Sequence, residues 1–85
     1  MSIFEELAQE AFDTFMEYYP AFMAEMGLED SITTRLRFYA QCMDQINEVT
    51  FLHPVINMFV EEKFHKAVKD ELQKLNDRKF QFPNN

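Results

Sequence analysis

The chain has 85 residues, with ten Phe, six Met and three Tyr against one Gly, and a net charge of −7. That length holds one domain with one core, burying about 60% of its unfolded surface; one glycine leaves no phosphate-cradling loop, and the negative balance opposes direct binding to nucleic acid. No apolar run approaches the ~20 residues of a membrane helix, and a single cysteine, Cys42, with no secretory pattern at the start, points to a reducing cytoplasm.

Residues 2–26 place Ile3, Phe4, Leu7, Ala8, Ala11, Phe15, Tyr18 and Phe22 at helical spacing, with Ser2 as cap and Glu5 as its capping-box partner. Pro20 lies inside this segment. It removes one backbone hydrogen bond and crowds the preceding turn, so the helix is expected to kink or split near Tyr19. Gly27 followed by Leu28 reads as a left-handed C-cap with a hydrophobic contact.

A second helix is expected over about 31–51, capped by Asp30 or Ser31, with Ile32, Leu36, Tyr39, Met43 and Ile46 inward. His53 and Pro54 interrupt the pattern, His53 as a helix-start or packing residue and Pro54 in the first turn of a third helix. That helix runs over about 54–75 on Ile56, Val60, Phe64, Ala67, Val68, Leu72 and Leu75, and Asn76 can end it. Residues 77–85 lack the helical period and are expected as a short extended tail in which Phe80 and Phe82 share a face. The expected fold is an all-α three-helix bundle, its first helix kinked or split at Pro20, within a single domain 1–85.

Glu62 and His65 stand three apart on the third helix, the spacing with which a helix offers two ligands to one metal ion. The segment "EEKFHKAVKDELQKLND", 17 of the 85 residues, resembles the second helix of the encapsulated ferritins, short helical hairpins that bind iron between two subunits. The resemblance implies Glu62 and His65 as iron ligands, with a further Glu from the inward face of the preceding helix. The helical projection points elsewhere: at about 100° per residue, Glu62 lies opposite the stripe of Val60, Phe64 and Ala67, and His65 sits about 120° off it. The inward stripe of the second helix carries no acid. Glu62, Lys66, Asp70 and Lys74 form an i to i+4 charge ladder of a solvated face. The expectation is therefore no metal and no cofactor.

Catalysis is not expected. Ser2 and Ser31 read as helix caps, and nothing in the spacing joins Cys42 to His53 or His65 as a thiolate pair.

Charge is distributed unevenly: residues 1–34 hold eight acids and no Lys or Arg, and residues 35–85 hold seven acids and eight bases. On the first helix Glu6, Glu10, Asp13 and Glu17 form a row of like charges, each contact costing a few tenths of a kcal/mol (~0.2–0.5). Phe12, Met16, Tyr19 and Met23 widen its apolar arc to about 200°, more than one helix hides in a small bundle. Glu6, Glu10, Asp13, Glu17, Phe12, Met16 and Tyr19 are therefore the expected protein-binding residues. The function they suggest is non-enzymatic: an inhibitor or adaptor of the kind common among phage products, contacting a basic surface on another protein, or a homodimer. Two alternatives are an acidic decoy of a nucleic-acid-binding protein and a ferritin-like metal-binding hairpin. Against the close mimic, the row carries about one charge per 5.4 Å turn, whereas duplex DNA carries one per ~1.7 Å.

Overall fold

The computed structural model describes residues 2–48 and 53–81, with side chains through residue 78. Four helical segments follow in order: α1 (Ile3–Glu17), α2 (Tyr19–Met26), α3 (Ile32–Glu48) and α4 (Pro54–Gln81). There is no strand among the described residues, and no helix among them is long and apolar enough to cross a membrane.

α1 and α2 are one helix split at Tyr18. Ser2 Oγ accepts from the Glu5 amide at 3.2 Å to start it. The split falls where Pro20, in the first turn of α2, has no N–H to continue the α1 ladder. Gly27 then stops α2 at φ 65°. The Leu28 amide donates to the Met23 carbonyl at 3.0 Å and the Gly27 amide to that of Ala24 at 3.4 Å, and Leu28 packs on the core. A Cβ at Gly27 would meet open space, so its substitution tests backbone conformation alone. Gly27→Ala is expected to lower unfolding free energy by about 1–2 kcal/mol, read as a shifted urea midpoint, with Gly27→Asn costing less.

Ser31 is the cap of α3, its Oγ accepting from the Thr34 amide at 3.1 Å; Asp30 is engaged elsewhere. Residues 49–51, the expected last turn of this helix, lie outside the described residues. His53 takes both of its expected roles: Nδ1 accepts from the Val55 amide at 3.1 Å, and the ring stacks on Phe4 with centroids 5.0 Å apart.

α4 continues to Gln81, six residues beyond Leu75. Asn76 does not end it, and residues 77–81 are helical rather than extended. The physical reason is local: no residue there has the positive φ that stops α2 at Gly27, and Gln73 Nε2 donates to Asp77 Oδ1 at 3.0 Å across the expected boundary. Phe82 lies outside the described residues.

α1 and α3 both pack along α4. α1 runs parallel to it, Phe4 meeting His53 and Phe15 meeting Phe64; α3 runs antiparallel, with Tyr39 on Phe64 and Arg35 on Glu71. Phe64 is the centre, fully buried, with ring centroids 4.8 Å from Phe12, 5.6 Å from Phe15 and 6.1 Å from Tyr39. A second aromatic group forms where α2 crosses α3: Phe38 lies 5.1 Å from Tyr19 and 5.3 Å from Phe22. The bundle is long and thin, 53 × 31 × 18 Å, with a radius of gyration of 15.1 Å, where a chain of this length packed to typical globular density would have about 12 Å.

Candidate functional site

On α1 the four acids stand in the expected row. Glu6, Glu10, Asp13 and Glu17 are all exposed, and none is within 4.0 Å of a cation among the described residues. Asp13 accepts a hydrogen bond from Gln9 at 2.9 Å, a neutral partner that leaves its charge uncompensated.

The apolar half of the expected surface is placed differently. Phe12, Met16 and Tyr19 are half-buried and pack on the core: Phe12 meets Phe64, and Tyr19 meets Phe38, each as a tilted ring pair. In exchange Ile3, Leu7 and Tyr18, expected inside, are exposed by 61%, 40% and 63%. The inward face of the helix lies roughly 70° around the axis from the stripe of Ile3, Phe4, Leu7, Ala8, Ala11, Phe15, Tyr18 and Phe22 that helical spacing picks out. The rotation lets Ala8, which has no exposed surface, meet the neighbouring helices, and it aims Phe12 and Phe15 at Phe64. A small residue on the inward line permits that close approach.

Ile3, Leu7 and Tyr18 fall within about 60° of one another around the axis, and the acidic row adjoins them on the side away from the core. The strip leads into an open groove between α1–α2 and α3, of about 250 Å³, lined by Phe15, Tyr18, Phe22, Phe38, Cys42 and Gln45, with Glu25 at its edge. Burial pushes the Cys42 thiol up to about 12, so it sits in the groove wall as an unreactive apolar residue.

A second polar constellation ties the α2–α3 turn to α4. Arg35 donates to both Asp30 oxygens at 2.8 Å and to Glu71 at 3.3 Å. The Tyr19 hydroxyl donates to Asp30 at 2.7 Å, and Lys74 lies 3.0 Å from Glu71. Glu71 is 4% exposed and is the one buried acid among the described residues; its place was expected to belong to Leu72 and Leu75, which instead are 45% and 38% exposed. Hydrogen bonds from Arg35, and then from Tyr19, hold the Asp30 carboxyl below its ordinary value of 3.8. Burial, and then the bond to Asp30, raise the Tyr19 hydroxyl to about 12. This network pins the α2–α3 turn to α4.

A folded-state carboxyl below its unfolded value stabilises the fold above that value and loses the contribution as pH falls through the shifted one. The difference in unfolding free energy between the protein and Asp30→Asn is therefore expected to be constant from pH 7 to about 5. It then closes as pH falls below about 4, measured by urea denaturation at each pH.

Glu62 and His65 are both at the surface, as their helical positions imply. Among the described residues, no three of His, Cys, Asp and Glu gather as metal ligands.

Comparison with protein-family models, curated proteins and solved structures gives no match, so the reading of this surface rests on its own residues.

Proposed function

We propose that this chain is a non-enzymatic, cytoplasmic protein-binding module, an inhibitor or adaptor of the phage type that works by contact through α1 with a basic surface on another protein. The observation that carries this reading is the exposed row of Glu6, Glu10, Asp13 and Glu17 beside the uncovered strip of Ile3, Leu7 and Tyr18. Folding explains neither: the row repels itself, and the strip leaves apolar surface in water. Contact explains both, with apolar side chains supplying area and charges steering encounter and fixing register.

The test is affinity purification from the native host followed by mass spectrometry, run in parallel on the protein and on Glu10→Gln/Asp13→Asn/Glu17→Gln. A partner that depends on α1 disappears from the triple variant while the helical circular dichroism is retained. The same partners at the same abundance in both samples would remove α1 as the contact surface.

A further inference from the structure

Among the described residues, the α1 strip and a pair of leucines on α4 are apolar surfaces at opposite ends of the long axis, apart from the single exposed side chains of Met26 and Met58. Ile3 and Leu7 stand at the end where α4 begins, fixed there by the Phe4–His53 stack. At the other end Leu72 and Leu75 are exposed on α4. α4 is 28 residues long, α3 is 17 and α1 is 15, so α4 is about 42 Å long against about 26 and 22 Å for the helices that cover it. Its last turns, from about residue 76, pass the start of α3, since Arg35 already meets Glu71.

The two helix segments that present these patches differ in the sign of their charge, while the α2–α3 turn beside the α4 segment adds Glu29 and Asp30 against Arg35. Residues 2–17 hold Glu5, Glu6, Glu10, Asp13 and Glu17 and no base, a charge of −5, whereas residues 72–81 hold Lys74, Arg78 and Lys79 against Asp77, a charge of +2. One copy has no means of bringing its own ends together along a rigid bundle 53 Å long. A two-fold axis perpendicular to that length does so for two copies: each α4 end meets the other copy's α1, and both contacts are identical, as a closed dimer requires. Side-by-side copies in the same direction would instead set −5 against −5.

We propose that the strip of Ile3 and Leu7 on α1 is covered by the Leu72–Leu75 face at the end of α4 from a second, antiparallel copy of this chain, with the α1 acids facing its α4 bases. The inference rests on reading α1 as a contact surface and names its first occupant. A larger partner using α1 would then have to displace the second copy.

The test is solution mass by light scattering at about 0.5 mM, where a contact of even modest affinity is populated. The expected mass is twice 10.2 kDa. Leu7→Glu and Leu75→Lys are each expected to run as monomers, since each damages both contacts of the pair, with helical circular dichroism unchanged because both side chains are exposed. Mixed in equal amounts, the two variants are expected to regain the dimer mass, because the mixed pair keeps one native contact and sets Glu against Lys at the other. Ile3→Glu and Leu72→Lys replace either variant that loses its helical signal. A monomeric wild type overturns the proposal. So does a dimer broken by only one of the two variants, or a mixture that stays monomeric, since a like-with-like contact of α1 or of α4 behaves in those ways. Monomeric protein that still loses its host partners in the triple acid variant would remove this occupant and leave α1 as the binding surface.

Discussion

Phe64→Ala is expected to abolish the cooperative unfolding transition, leaving a chain with reduced far-ultraviolet helical signal at 25 °C. Phe64 has no exposed surface and is the ring on which Phe12 and Phe15 from α1 and Tyr39 from α3 converge. Truncating a buried Phe costs about 3–5 kcal/mol, and more of that range applies where the surroundings cannot collapse into the space. Here the neighbours are aromatic rings on two separate helices, α1 and α3, so filling the cavity would require a helix to shift. A chain of this size draws roughly 4–13 kcal/mol of stability in all, and this bundle sits toward the lower part because its thin shape leaves few residues fully covered. Phe64→Leu is the control. It keeps most of the volume, and its expected cost of about 1–2 kcal/mol leaves a measurable transition. Urea denaturation followed by circular dichroism distinguishes the two, and a Phe64→Ala protein within about 1 kcal/mol of the wild type would show that the three helices do not depend on this ring.

The helices and their breaks were legible because each rests on one local cause. Pro20 has no N–H, Gly27 takes a positive φ, and Ser2 and Ser31 offer a cap; none of these depends on what lies across the bundle. The position of Glu62 was legible for the same reason, since three residues of helix fix its angle to Phe64. Rotation of α1 was not. Its apolar residues cover an arc wider than the core admits, and the pattern alone does not say which flank stays outside. That choice is made by close approach at Ala8 and by the fit of Phe12 and Phe15 to Phe64, both tertiary facts. The result for the candidate surface is specific: the acids stand where the sequence places them, and the apolar residues beside them are Ile3, Leu7 and Tyr18 instead of Phe12, Met16 and Tyr19. The end of α4 was misplaced because Asn76 resembles a stop, and only the pairing of Gln73 with Asp77 and the absence of a left-handed residue show that the helix passes it.

Glu71 was missed although its position could be found. It lies seven residues after Phe64, two helical turns along the same inward line, and residue type hid what spacing would have shown. Its burial makes the network around it asymmetric. Arg35 is 34% exposed along its side chain and Glu71 only 6%, so Arg35 without Glu71 keeps Asp30 and water, whereas Glu71 without Arg35 is a buried carboxylate held by Lys74 alone. Arg35→Ala is therefore expected to cost about 1–3 kcal/mol, chiefly the cost of the stranded acceptor. Glu71→Leu is expected to lie within about 1 kcal/mol of the wild type, since an apolar side chain of similar size beside Val68 and Leu75 removes the charge along with its need for a partner. The double variant Arg35→Ala/Glu71→Leu is the sharper measurement. Once the carboxylate is gone, losing the arginine strands nothing at that position, so the double variant should be more stable than Arg35→Ala alone. Arg35→Lys should not substitute for arginine, because an ammonium cannot fork onto both Asp30 oxygens while reaching Glu71. Urea midpoints for the four proteins decide it: costs that add, with the double variant less stable than either single one, would mean that Glu71 is solvated in solution and that the Arg35 bridge is a surface ion pair of little consequence.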